Sequence, residues 1–366
     1  LVAVLHFRMR KGRILKIRQD YVKNARYFGR SFSSLVEKAL PEMKNGMIML
    51  SRQEKVLETD GNQEFVQPEI EDLVIARNTI FCPQQEDLHF QKEIYSEKDA
   101  LFVKENIRLR AVYSKKRLLF GNKIRLLRWA DAEHAVVVYD ECDLGERVSS
   151  GEQLVIGFEN VFHSLYAPVI RLGQRPEEPD RFMDGRDPRI FRMPVMNSHE
   201  YNRHYIDDDM VTEGGTVPYT IISRGDIKVI EDIILQGDIH SDGAVRIMEN
   251  ASVLGNIFAE NDILLEKNAT VLGNIFTQGN IIFEEGASAG QPHKIISVVA
   301  RGTITFYGGN YVYGYVVSEG GGKILKSDRE ISGEYCFPRE PVHEEKITFR
   351  DLSEYENVDF QGFRGD

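Results

Sequence analysis

The chain has 366 residues, of which 42% are hydrophobic, and a formal net charge of -11. That apolar content supplies one large core or two smaller ones and excludes a wholly disordered chain. The acidic balance excludes a protein built to grip nucleic acid with a clustered basic face. Cys82, Cys142 and Cys336 lack a CxxC spacing, which suggests neither a disulfide framework nor a zinc site and suits a reducing compartment.

The chain opens LVAVLHF at 1–7 and continues RMRKGRILKIR at 8–18, where Arg8, Arg10, Lys11, Arg13, Lys16 and Arg18 supply six positive charges without an intervening carboxylate. An apolar stretch with such a flank predicts a membrane-proximal segment attracted to anionic lipid on the cytoplasmic side. Seven residues cannot span a bilayer, which takes about 20. The expectation is therefore either a surface anchor or the end of a single spanning helix that begins before Leu1, on the cytoplasmic face of the inner membrane. Within 19–60, Tyr27, Phe28, Phe32, Leu35, Val36 and Leu40 recur at three- and four-residue spacings and predict an amphipathic helix ended by Pro41. The polar run at 51–72 reads as a linker. The N-terminal segment is bounded at 1–60 and the linker at 61–87.

From Leu88 the chain aligns in rows of eighteen residues, starting at Leu88, Asn106, Ile124 and Cys142. Position seven holds Ile94, Val112, Ala130 and Val148; position thirteen Ala100, Leu118, Val136 and Leu154; position fifteen Phe102, Phe120, Val138 and Ile156. The pattern fades after Asn160, with Tyr166 and Leu172 as candidates for one more coil, so this diverged block is bounded at 88–172. Residues 173–214 carry four prolines, many charges and no eighteen-residue pattern, and read as an excursion. Asp207, Asp208 and Asp209 are consecutive acids better read as a solvated loop than as a cation site, and His199 and His204, five apart, do not suit one helix face as zinc ligands.

The clearest repeat follows at 215–327, where VLGNI at 253–257 recurs at 271–275. Rows start at Gly215, Ile233, Ala251 and Ala269, then, after a five-residue insertion at 287–291, at Pro292 and Asn310. Position seven holds Ile221, Ile239, Ile257, Ile275, Val298 and Val316, and position thirteen Ile227, Val245, Ile263, Ile281, Ile304 and Gly322. Position fifteen holds Val229, Ile247, Leu265, Phe283, Phe306 and Ile324. Seventeen of these eighteen places are hydrophobic, where 42% would put about eight, so the period is structural.

A finer unit of six residues runs within each row: Ala251, Ile257, Ile263, Ala269, Ile275 and Ile281 each have a partner two places on. An apolar, any, apolar triplet points two side chains to one side of a strand. The triplets between are rich in glycine, asparagine and acids, which tolerate tight or left-handed corners. Three strands and three corners per coil predict an all-β fold, a β-helix in two blocks of stacked coils with a short N-terminal helical region. Gly255 with Asn256 and Gly273 with Asn274 turn the same corner one coil apart. Handedness is not set by the spacing.

The tract 215–327, with ASVLGNIFAENDILLEKNATVLGNIFTQGNIIFEEG at 251–286, resembles the bactofilins, bacterial polymer-forming cytoskeletal proteins. The resemblance implies a right-handed β-helix that assembles end to end without nucleotide or other cofactor into non-polar filaments under the membrane. It implies partners that are copies of the chain, another bactofilin, the anionic membrane and an envelope or motility machine, with no nucleic acid. No catalytic residue is carried over, and the chain is expected to be a scaffold and not an enzyme. The alternative is a β-helical acyltransferase of the hexapeptide class, which would need histidine, with His240 and His293 as candidates. No glycine–lysine phosphate loop, GxSxG or HExxH occurs.

The final coil, built on Phe306, Val312, Val316 and Ile324, has no further repeat to cover it, and an uncovered coil is a template for another chain. These four residues are the expected assembly interface, in a two-fold contact with the same end of a second subunit. The other candidate cover is the polar tail 328–366, through Tyr335, Phe337 and Phe349.

Overall fold

The apolar triplets form strands because alternate side chains find a common interior, and the computed structural model describes them over residues 24–59, 61, 64–174 and 215–326. They wind a β-solenoid of about 13 turns. The first block runs β1 (Met47–Met49), β2 (Gln53–Thr59), β3 (Glu69–Ile70), β4 (Leu73–Ala76), β5 (His89–Ser96), β6 (Ala100–Phe102), β7 (Arg108–Ser114), β8 (Leu118–Phe120), β9 (Arg125–Ala132), β10 (Ala135–Val138), β11 (Arg147–Ser150), β12 (Gln153–Ile156) and β13 (Asn160–Leu172). The second runs β14 (Thr216–Val217), β15 (Ile221–Ser223), β16 (Ile227–Val229), β17 (Ile234–Leu235), β18 (Ile239–Ser241), β19 (Val245–Ile247), β20 (Ser252–Val253), β21 (Ile257–Ala259), β22 (Ile263–Leu265), β23 (Thr270–Val271), β24 (Ile275–Thr277), β25 (Ile281–Phe283), β26 (Ser288–Ala289), β27 (Ile296–Ala300), β28 (Ile304–Phe306) and β29 (Asn310–Ile324).

Coils stack in parallel register one row apart: Ile221 lies beside Ile239, then Ile257, Ile275, Val298 and Val316. A second column climbs from Ile227 through Val245, Ile263 and Ile281 to Ile304. These side chains are buried in one core that runs through both blocks. Each such aliphatic residue contributes roughly 1.5–3 kcal/mol by leaving water.

The corners work differently from the sequence expectation. The left-handed positions are Asp232, Asn250 and Asn268, eighteen apart, at φ of 59°, 59° and 57°. Gly255 and Gly273 do not turn the chain by positive φ; they let coils approach. A Cβ on Gly273 would sit 2.3 Å from the Gly255 carbonyl oxygen, and one on Gly255 equally close to that of Gly237. The neighbouring asparagines form a ladder: Asn256 N–H donates to Asp238 Oδ1 (2.6 Å), Asn274 N–H to Asn256 Oδ1 (2.9 Å) and Ser297 N–H to Asn274 Oδ1 (2.9 Å). VLGNI therefore recurs because each of its polar positions bonds or abuts its own copy in the next coil.

One corner carries a pH-sensitive carboxylate. Glu284 is pushed up to about 7 by burial and by Glu266, against the backbone N–H of Lys267 and the charge of Arg246. A carboxyl raised in the folded state holds its proton more tightly than in the unfolded chain, so stability falls as pH rises from about 4.5 through 7. Glu284→Gln is expected to flatten that part of the profile, raising the urea midpoint at pH 8 and leaving it nearly unchanged at pH 4. Equal midpoint shifts at both values would overturn the assignment.

Three boundaries differ from the expected ones. Residues 61–87 are not a linker, since β2, β4 and β5 pair in parallel, with Val56 beside Leu73 and Val74 beside Ile94. Those steps are 17 and 20 residues, so an eighteen-residue frame does not catch them. The insertion falls between Ala289 and Ile296, not at 287–291, because Ser288 still pairs with Thr270 in frame. The last coil of the first block closes short: Leu165, not Tyr166, follows Val148 inward, and Leu172 lies beside Ile156.

The helix α1 (Tyr27–Ala39) is followed by a 3-10 turn at Leu40–Glu42 that places Pro41 near its start. It covers the outer side of β4, β5, β7 and β9, where Val36 joins Leu73, Ile75, Tyr95, Ala111, Tyr113 and Trp129 in a second apolar cluster. Phe32 packs edge-on against Tyr95 and Trp129, with ring centres 6.4 and 5.6 Å apart.

Candidate functional site

The last strands of the two blocks pair with each other. β13 and β29 run antiparallel, with Asn160 beside Ile324, Leu165 beside Val316, Ile170 beside Val312 and Leu172 beside Asn310. Parallel coils on each side thus meet at an antiparallel seam, and both solenoids present the same end to it. A run of phenylalanines crosses the seam inside, with Phe306 stacked on Phe283 at 4.6 Å and facing Phe162 at 6.3 Å. Outside it, the rings of Tyr166 and Tyr315 lie 4.5 Å apart.

The assembly interface read from the sequence is corrected here. Phe306, Val312, Val316 and Ile324 are fully buried, and the latter three lie on the strand joined to β13 of the same chain. The two-fold-like contact exists, but its second half is the upstream block of the same chain. Gly322 is the trace of it in the sequence. It is the one break in the hydrophobic columns, and a Cβ there would meet the Phe162 ring at 2.1 Å. Val316→Ala is accordingly expected to lower stability by about 2 kcal/mol without altering oligomeric mass. A fall in mass by light scattering would restore the intermolecular reading.

A polar clamp fastens α1 beside this seam. Arg26, which the sequence reading passed over, is 3% exposed and donates to both oxygens of Asp131 (2.8 and 3.1 Å), to the Ala132 carbonyl (2.9 Å) and to Glu133 (3.0 Å). Ser149 Oγ donates to Asp131 at 2.7 Å. Burial raises the Asp131 carboxyl to about 6, opposed by Arg26 and Ser149, so it is ionised at neutral pH and pairs with the guanidinium. The signal available in sequence was Asp131 itself, an acid inside the strand-forming run RLLRWADA. Next to the clamp, Arg147 Nη1 donates to the Ala25 carbonyl at 3.5 Å, and its guanidinium lies 5.6 Å from the Phe28 ring centre.

The sheet that seats α1 continues past the seam into the second block. Ile222, His240, Phe258, Phe276, Val299 and Val317 lie on successive coils and point outward. His240 stacks on Phe258 at 4.8 Å and 13°, and Phe258 on Phe276 at 5.4 Å and 9°. Ile222 is 41% exposed and Phe258 37%, making this an apolar stripe along the side of the rod.

The remaining sequence candidates are scattered. His240 is part of the stripe, and His293 sits at φ 66° in the insertion. Cys142 is buried, which pushes its thiol up to about 12. A corner groove at Lys98, Lys116 and His134 holds the Arg117–Asp99 ion pair, and His134 Nδ1 lies 2.7 Å from Glu152 Oε1. Arg8 to Arg18, His199, His204, Asp207 to Asp209, Cys336 and the tail aromatics lie outside the described residues. The expected single-pass arrangement at the inner membrane is corrected: among the described residues no helix is long and apolar enough to cross a membrane. Their α-helix, α1, has 13 residues against the about 20 required.

No family model, curated protein or solved structure matches the chain. The likeness to bactofilins therefore rests on the residues of the repeat.

Proposed function

We propose that the chain is a bactofilin-like scaffold, a double-length solenoid rod that assembles with copies of itself or with another bactofilin to position an envelope or motility structure. The observation that carries this reading is the seam. Within one chain, two solenoids already join end to end through an antiparallel ladder with register shifts at Phe162/Ser164 and Ala167/Ile170, so coil ends of this sequence type are competent for such a junction. The seam uses one end of each block, and the first coil of the second block is left as the end where a further rod would add.

That coil pairs with its neighbour on one side only among the described residues, through β14, β15 and β16. Its interior is closed, since Val217, Ile221, Ile227 and Val229 are buried, so joining there would use strand edges and not a bare apolar end. Ile227 N–H donates to Ala244 in the second coil at 2.8 Å, which turns the next amide, that of Lys228, toward the outer edge.

The expected behaviour is oligomers or filaments at micromolar concentration by light scattering and negative-stain microscopy. Lys228→Pro removes an edge donor while keeping the inward pattern, and should reduce the mass toward that of one chain. A wild-type protein that is already a single chain under these conditions would overturn the reading.

A further inference from the structure

We propose that the corner groove of the first block, where Lys98 and Lys116 stand on adjacent coils, binds the phosphate group of a small soluble phosphomonoester. This reading does not rest on end-to-end assembly, because the groove opens on the side of the rod.

The strands on both sides of the corner hold its residues in line. Before it, Ser96, Ser114, Ala132 and Ser150 stack in register; after it, Ala100, Leu118, Val136 and Leu154 do the same. Lys98, Lys116, His134 and Glu152 between them therefore form one column, with a step of about 4.8 Å per coil. Serine hydroxyls fix its backbone. Ser114 Oγ donates to the Lys98 carbonyl at 2.8 Å and accepts the Lys116 N–H at 3.1 Å, and Ser150 Oγ bonds the His134 carbonyl and the Glu152 N–H in the same way.

The corner does not need cations to form. In the second block the same place is held by Gly225, Gly243, Asn261, Gly279 and Gly302. The hydroxyl bonds are the same: Ser241 Oγ donates to the Gly225 carbonyl at 2.8 Å and accepts the Gly243 N–H at 3.0 Å, and Ser318 Oγ donates to the Gly302 carbonyl at 2.8 Å. One backbone thus carries glycine in one block and successive lysines in the other. Like charges facing each other on paired strands are destabilising, so the folding of the corner gives no reason for the pair.

The surrounding charges leave the two lysines to a ligand. Arg117 is paired with Asp99, Lys115 with Glu37 and Glu133 with Arg26, and Glu97 accepts the Asn78 N–H. Glu152, at the far end of the column, lies 2.7 Å from His134 Nδ1. Lys98 and Lys116 are exposed, and among the described residues neither enters an ion pair. A phosphomonoester carries a charge of about -1.5 to -2 at neutral pH and matches both ammonium groups, where a carboxylate matches one. The groove has a volume of about 380 Å³, a small-molecule size, and Ile80 and Ala135 add apolar lining. Ile80, 47% exposed and eighteen residues before Lys98, offers a surface for the organic part of the ester.

Acetylation of the full chain, read lysine by lysine by peptide mass spectrometry, tests the proposal with phenyl phosphate as the probe. An amine held as ammonium by a phosphate does not acylate, so Lys98 and Lys116 should label about tenfold more slowly at roughly ten times the Kd of the probe. Lys267, exposed on a corner of the second block, should label at an unchanged rate, and benzoate at equal ionic strength should protect neither of the pair. Lys98→Gln should remove the protection of Lys116 with circular dichroism unchanged. Absent protection, equal slowing at Lys267, equal protection by benzoate, or protection of Lys116 that survives Lys98→Gln would overturn the proposal. Protection by phosphatidic acid vesicles but not by phenyl phosphate would assign the corner to a lipid surface and overturn it equally.

Discussion

Replacing Ile263 by aspartate is expected to cost about 3 kcal/mol or more and to disrupt the second block. Ile263 is fully buried between Val245 and Ile281, in a column that is aliphatic from Ile227 to Ile304. A carboxylate there has no donor in the column and no route to water, so it either folds protonated at the expense of pH-dependent stability or does not fold. The effect should propagate, because each coil contacts its neighbours and the seam couples the second block to the first. Urea denaturation at pH 7 reads it, with Ser252→Asp as the control. Ser252 is outward-facing and only partly buried, and its substitution should stay within about 0.5 kcal/mol. A variant as stable as the wild type would show that the column is not the interior.

Removing Arg26 should cost a similar amount by a different route. In Arg26→Met the guanidinium is lost and Asp131, 1% exposed, is left buried with Ser149 as its remaining donor. Stranding one partner of a buried pair costs about 3–5 kcal/mol, more than the pair itself is worth. The cost can be relieved by releasing α1, which wets the cluster of Leu73, Tyr95, Tyr113 and Trp129. The chain has one tryptophan, and its ring packs against Phe32 of α1, so release should shift its emission to the red before the solenoid melts. Arg26→Met combined with Asp131→Leu should recover most of the loss, since no charge is left unpaired. If the double variant is as unstable as the single one, the helix is held by something other than the clamp.

The repeat was legible because a solenoid makes tertiary contacts at constant sequence separation. Ile239, Ile257 and Ile275 touch because they are eighteen apart, so the stacking of 215–286 and the twelve inward positions of the first block could be read from spacing alone. Where coil length drifts, that legibility ends: β2, β4 and β13 lie at separations of 16 to 20 residues and escape the frame though they are built identically. The seam was harder still. Leu165 and Val316 are about 150 residues apart and no period links them; Gly322 records their contact only as an omission.

The sequence by itself therefore determined the β-solenoid, its coil length, its inward columns and the place of the short helix, because each follows from local alternation and a repeated step. Only the tertiary structure decided that the terminal coil is consumed within the chain, that Arg26 meets Asp131, and that one sheet face is covered by α1 and continues as an aromatic stripe. These contacts join residues at separations no pattern encodes. They depend on the shapes of whole blocks meeting, with a ring filling the space of an absent side chain and a buried charge finding its partner 105 residues away.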